Sequence, residues 1–202
     1  MPRGVAVPEP RQQLFAAAER VVARDGLSRL TSRAVTAEAG VATGLLFKHF
    51  TNFDKFLTGY AVDRAFQITA SVAGLPGRAG SGTVGGTLSE ALLATPMDTL
   101  QALIRVMADR PGLTAAVEAV LGAGSAGLAP LEHAAAGYLR AEQHLGRLPA
   151  AADTGALALA AVGALTHIAL TAPADPGRLY RVMDALTAAP DRQAPVRARR
   201  SG

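Results

Sequence analysis

Thr43, Gly44, Phe47, Lys48 and His49 stand close together in the stretch VTAEAGVATGLLFKHFTNFDKFL, residues 35–57. An ammonium beside an imidazole can hold an anion such as phosphate, and a glycine beside a hydroxyl lets the backbone come near whatever is bound. As an isolated pair, Lys48 and His49 are read equally well as the solvated face of a helix. His133, His144 and His167 raise metal ligation as a second chemistry. The first two are eleven residues apart, but no third ligand joins them and there is no His-x-x-x-His pair, so no metal ligand and no cofactor is assigned. Asp109, Glu118, Glu132 and Glu142 fall on separate turns, and Ser89 and Ser125 have no histidine at local spacing. No catalytic residue is assigned, and the chain is read as a non-enzyme.

The elements that must position these groups are helices. Half of the 202 residues are apolar, only 4% are aromatic, and alanine, the strongest helix former, dominates. No long alternating run rich in valine and isoleucine suggests a sheet, which makes the fold all-α. A first helix follows Pro8 and Pro10, with Leu14, Ala18, Val21 and Val22 on one face and Gly26 as its stop. Thr31 caps a second helix that ends near Gly40, and a third spans about residues 42–49. Asn52 caps a long fourth helix running to about residue 73.

The segment 74–86 holds six glycines in thirteen positions. It lacks both the G-x-G-x-x-G pattern and a following Lys-Ser/Thr, so it reads as a flexible linker and not a phosphate cradle. Further helices are expected at about 87–95, 97–109, 112–122, 126–145, 152–171 and 176–188, broken at prolines and glycines.

The absence of cysteine excludes disulfides, thiolate metal sites and a cysteine nucleophile. The start MPRGVAVPEPRQQ is interrupted by prolines and charges where a signal peptide would be apolar, which gives a cytoplasmic address. The apolar run 155–170 falls short of the ~20 residues of a membrane span and includes Thr166 and His167, so it reads as a buried helix, with no membrane partner. Charge is uneven. Residues 1–60 carry eight Lys/Arg and five Asp/Glu (+3), residues 61–189 eight and ten (−2), and residues 190–202 four and one (+3). Basic ends suit a polyanion, although they also suit a merely soluble surface.

Two short helices joined at Gly40 form a helix-turn-helix. Val35, Val41 and Leu46 seal its inside, which leaves Thr43, Gly44, Phe47, Lys48 and His49 outside. The stretch LTSRAVTAEAGVATGLLFKHFTNFDKFL resembles the N-terminal signature of the tetracycline-repressor (TetR) family. The shared features are a Thr-x-Arg start, an Ala-Gly-Val turn, a glycine in the recognition helix and an aromatic-x-His-Phe close. LFAAAERVVARDGLSRLT before it is similar to that family's first helix, and GRLPAAADTGALALAAVGALTHIAL to its dimer-forming helix. Five positions depart from the family pattern: Thr36, Ala42, Thr43, Phe47 and Phe53. Alanine at 42 in place of serine weakens the recognition-helix cap by ~1 kcal/mol.

The resemblance implies a three-helix DNA-binding domain over residues 1–60, with a short arm at its start. A larger helical ligand-binding and dimerisation domain follows over 61–189, and a basic tail over 190–202. The DNA-contacting set becomes Arg11, Thr31, Arg33, Ala42, Thr43, Gly44, Phe47, Lys48, His49 and Lys55, with a double-stranded operator as partner. A homodimer through helices 152–171 and 176–188 is implied, motivated also by Leu157, Ala161, Ala164, Leu165 and Ile168 on one helix and Leu179, Val182, Met183 and Leu186 on the next. A small-molecule effector is implied among the middle helices, lined by Leu100, Leu103, Ile104, Met107, Val117, Val120, Leu121, Leu139 and His167; the alternative is that these residues simply fill the core. A regulator released from DNA by an apolar or weakly polar ligand is the leading reading. The alternatives are a non-catalytic helical interaction protein and a divergent regulator without a ligand.

Overall fold

Residues 9–171, 175 and 177–188 are described by the structure, a computed structural model. Ten α-helices follow in order: α1 (Pro10–Asp25), α2 (Ser32–Glu38), α3 (Thr43–His49), α4 (Phe53–Val72), α5 (Val84–Leu92), α6 (Met97–Asp109), α7 (Gly112–Leu121), α8 (Ala129–His144), α9 (Thr154–Thr171) and α10 (Gly177–Thr187). No strand occurs among the described residues. The basic tail expected at 190–202 and most of the N-terminal arm lie outside them.

The first three helices and the start of α4 enclose an aromatic centre. Phe15 lies 5.8, 5.6 and 5.8 Å, centroid to centroid, from Phe50, Phe56 and Tyr60, and Phe53 stacks on Phe56 at 5.4 Å. Five of the chain's nine phenylalanines and tyrosines therefore serve this small head. Large flat rings let few residues bury much area and fix their mutual angles. Buried Arg64 of α4 ties the head together: its guanidinium donates to Glu19 at 2.7 Å and to Gln12 at 3.1 Å on α1, and lies over the Tyr60 ring. Burial, the largest single influence, would lower the Arg64 pKa, but the hydrogen bond and charge of Glu19, with Tyr60 and Asp63, together outweigh it and the pKa is raised.

The larger part is aliphatic. α4 runs from the head into it and packs on α6, α7 and α8; α9 lies against α8, α6 and α10, and α5 against α10. α9 is 18 residues long with a mean hydropathy of 1.6, sufficient by length and composition to cross a membrane, yet one third of it is buried here, against its neighbours. Its buried stripe is Ala158, Ala161, Val162, Leu165, Ile168 and Ala169. This shifts the face expected for assembly: Ala161, Leu165 and Ile168 belong to the subunit's own core, as do Leu179 and Met183 of α10. Leu159 and Leu170 point outward, with Tyr180 and Val182 on α10.

The glycine-rich segment is not a free linker. Leu75 is buried, Pro76–Arg78 forms a 3-10 turn packed on α8, and α5 begins at Val84, so Gly85 and Gly86 lie inside a helix. Thr83 accepts the Gly86 N–H at 3.0 Å and caps it. A Cβ at Gly85 would stand 2.9 Å from the Met183 carbonyl carbon and from the Asp184 nitrogen; glycine is present because α10 crosses there. Glu142 of α8, wholly buried, accepts the Gly80 N–H at 3.1 Å and pairs with Arg147 at 3.1 Å, while Arg147 also donates to the Gly82 carbonyl. Buried Tyr138 donates to the Val84 carbonyl at 3.3 Å. Burial, and then the neighbouring Glu142 carboxylate, push its hydroxyl well above the ordinary tyrosine range.

Candidate nucleic-acid interface

α3 is short, and its inward side is Leu46, wholly buried on the partner helices. Thr36 of α2, also buried, donates to the Ser32 carbonyl at 2.9 Å and shares a hydrogen bond of 3.2 Å with the Thr43 hydroxyl across the turn. That bond orients the first residue of α3. Thr31 caps α2 by accepting the Ala34 N–H at 3.2 Å, and Asn52 caps α4 by accepting the Lys55 N–H at 2.8 Å. Ala42 has no such bond to offer, so α3 starts uncapped by a side chain. Arg20 and Arg24 of α1 both reach Glu38 of α2 at 2.7 Å, bracing the helix that α3 leans on. Their hydrogen bonds, that of Arg20 first, hold the Glu38 carboxyl below the ordinary range.

All ten residues expected to touch DNA are exposed: Arg11, Thr31, Arg33, Ala42, Thr43, Gly44, Phe47, Lys48, His49 and Lys55. They form three groups. Ala42 to His49 make the free side of α3, with 47% of the Phe47 surface open to solvent. Thr31 and Arg33 border a concavity of about 560 Å³ at the start of α2, together with Ser28 and Arg29 of the preceding 3-10 turn and Asp25. Ser28 and Arg29 are absent from the sequence-derived set; only the motif's edge, just before Thr31, could have pointed to them. Arg11 and Lys55 face a different groove, between α1, α4 and α7. A hydroxyl, an ammonium, an imidazole and an apolar ring on one helix, flanked by cationic helix starts, can grip phosphates on either side while α3 meets base edges.

The nine residues expected around an effector do not gather in one cavity. Leu100, Leu103, Val117 and Leu139 are core residues exposed by 1% or less, and Ile104, Met107 and Leu121 are half-buried. Val120 and His167 turn to solvent, because each falls off its helix's buried stripe. Val120 and Leu121 do line a cavity, but it is the α1/α4/α7 groove. Among the described residues no group of three or more His, Asp or Glu side chains is placed to hold a metal ion.

Residues 14–57 match the family described as bacterial regulatory proteins, tetR family. An HTH-type transcriptional regulator of Haemophilus influenzae is 38% identical over 50 residues, which are 25% of this chain and 27% of that protein. The chain thus spans about a quarter of that curated relative's length. The fold is similar to the fatty acid degradation regulator FadR of Bacillus halodurans, with a TM-score of 0.63, 15% identity, and coverage of 89% of this chain and 96% of that one. It is similar also to a TetR-family member of Streptomyces coelicolor, with a TM-score of 0.58, 23% identity, and coverage of 90% and 100%. A third similar structure is the multidrug binding protein EbrR complexed with imidazole, with a TM-score of 0.53, 22% identity, and coverage of 93% and 100%.

Proposed function

We propose that the chain, whose residues 14–57 match the tetR family of bacterial regulatory proteins, is a DNA-binding transcriptional regulator of that family and a cytoplasmic repressor acting on a palindromic operator. Residues 1–60 read DNA, residues 61–189 dimerise and take a small-molecule effector, and the basic tail 190–202 adds charge. The observation that carries the reading is α3: every residue assigned to DNA on it is exposed, while Leu46 and the Thr36–Thr43 bond fix its seat. Lys48 and His49 supply phosphate or base contacts, Thr43 and Gly44 approach base edges, and Arg33 and Lys55 sit in the first turns of their helices. Two-fold pairing of such heads calls for half-sites about one helical turn of DNA apart.

The test is selection of bound fragments from the genome of origin with the full chain, followed by titration of the recovered site against salt. Enrichment of a two-fold symmetric sequence is expected. Lys48→Ala should lower the slope of log affinity against log salt by ~0.9, the loss of one phosphate contact. Recovery of no common sequence, or an unchanged affinity and slope in Lys48→Ala, would overturn the assignment.

A further inference from the structure

Eight large apolar side chains stand exposed among the described residues. Leu159, Leu170, Tyr180 and Val182 lie on α9 and α10, Phe47 lies on the recognition helix, and Leu145 follows α8 beside Gly80. The remaining two, Phe66 at 64% and Val120 at 63%, are the most exposed of the eight, and both line the same groove between α1, α4 and α7, a cavity of about 500 Å³. That is within the size range of small-molecule sites.

Arg11 and Lys55 line it as well. The Arg11 guanidinium is held 5.0 Å above the Phe50 ring, and neither cation has a carboxylate partner among the described residues. Of the two carboxylates in the lining, Asp63 is committed to Gln12, Arg64 and Gln67 at 2.6 to 2.8 Å, which leaves Glu9 alone against two cations. We propose that this groove binds an amphipathic organic anion, its single negative charge at Arg11 and Lys55 and its apolar chain along Phe66 and Val120.

The proposal deepens the effector part of the reading above and rests on it for its consequence, not for its geometry. Arg11 and Lys55 are also assigned to phosphates, so bound anion and bound DNA compete for the same two charges. Release then requires no change in the spacing of the heads. With free ligand at ten times its dissociation constant, simple competition raises the apparent dissociation constant for DNA about 11-fold.

The probe is decanoate, titrated calorimetrically into the full chain without DNA, beside decanol, which has the same chain without the charge. Decanoate should bind at least about tenfold more tightly than decanol, and Arg11→Gln and Lys55→Gln should each weaken it. Phe66→Gln, at an exposed position and adding no charge, should weaken decanoate binding at least about tenfold while leaving thermal stability and DNA affinity intact. Decanoate should displace DNA from the parent chain at concentrations that leave Phe66→Gln on DNA. Equal binding of decanol, indifference to all three substitutions, or no heat at about 1 mM decanoate would overturn the proposal. A chain that never binds DNA but still takes decanoate in this groove would sink the regulator reading alone.

Discussion

Replacing Glu142 by leucine removes the carboxylate that holds both the Gly80 amide and Arg147. Breaking an ion pair buried on both sides costs more than breaking a surface pair, but Arg147 keeps 29% of its side chain in water and can be resolvated. A loss of about 2 kcal/mol is expected, seen as a lower urea midpoint at unchanged slope. Parental stability in Glu142→Leu would mean that the clasp contributes nothing. The sequence concealed this pair: a glutamate and an arginine five residues apart near a helix end look like solvated surface. The exposed set on α3 was legible, since the turn glycine and the buried positions around it leave few others free. What the pattern did not disclose is that the Thr43 hydroxyl is already engaged by Thr36. Contact between Thr43 and a base must share or exchange that bond, a local constraint on readout that no spacing argument reveals.

At the scale of elements, glycine density misled. Each glycine lowers helix stability by about 1 kcal/mol relative to alanine, which argues against a helix at Gly85 and Gly86. Tertiary packing wins because a helix crossing as close as α10 requires a residue without a side chain. Gly85→Ala should therefore destabilise by about 1–3 kcal/mol despite alanine's higher helix propensity, as thermal or urea unfolding would show. A stabilised variant would mean that α10 yields easily. The register of α9 was illegible for the opposite reason. The helix is apolar on nearly every side, so no polar stripe marks its outer face, and only the positions of α6, α8 and α10 decide which residues are buried. The caps at Thr31 and Asn52 and the breaks at Gly26 and Pro111 were legible because they are local chemistry.

For the whole molecule, the outward face of α9 bears on the dimer proposed above. Ala156, Leu159, Ala160, Gly163, His167 and Leu170 recur at helical spacing on its exposed side, with Tyr180 and Val182 on α10 nearby in the packing. Small residues between leucines allow close approach of a second helix, so the dimer we propose is expected to pair across this exposed apolar stripe. Leu159→Asp should convert a dimer to a folded monomer in sedimentation at micromolar concentration. Ala161→Asp should instead damage the fold, because Ala161 is wholly buried within one subunit. A Leu159→Asp protein of parental mass would place the interface elsewhere.

The chain has no tryptophan and three tyrosines, and these are distributed one to each working part. Tyr60 sits in the aromatic head and Tyr138 beside the clasp on α8, both shielded, whereas Tyr180 is 37% exposed on α10. The molecule thus carries native optical reporters that need no label. A collisional quencher in solution reaches Tyr180 first, so pairing through α10 would register as protection of a single phenol. Changes in the shielded fraction of the emission would in turn report motion of the head or of the bundle's interior.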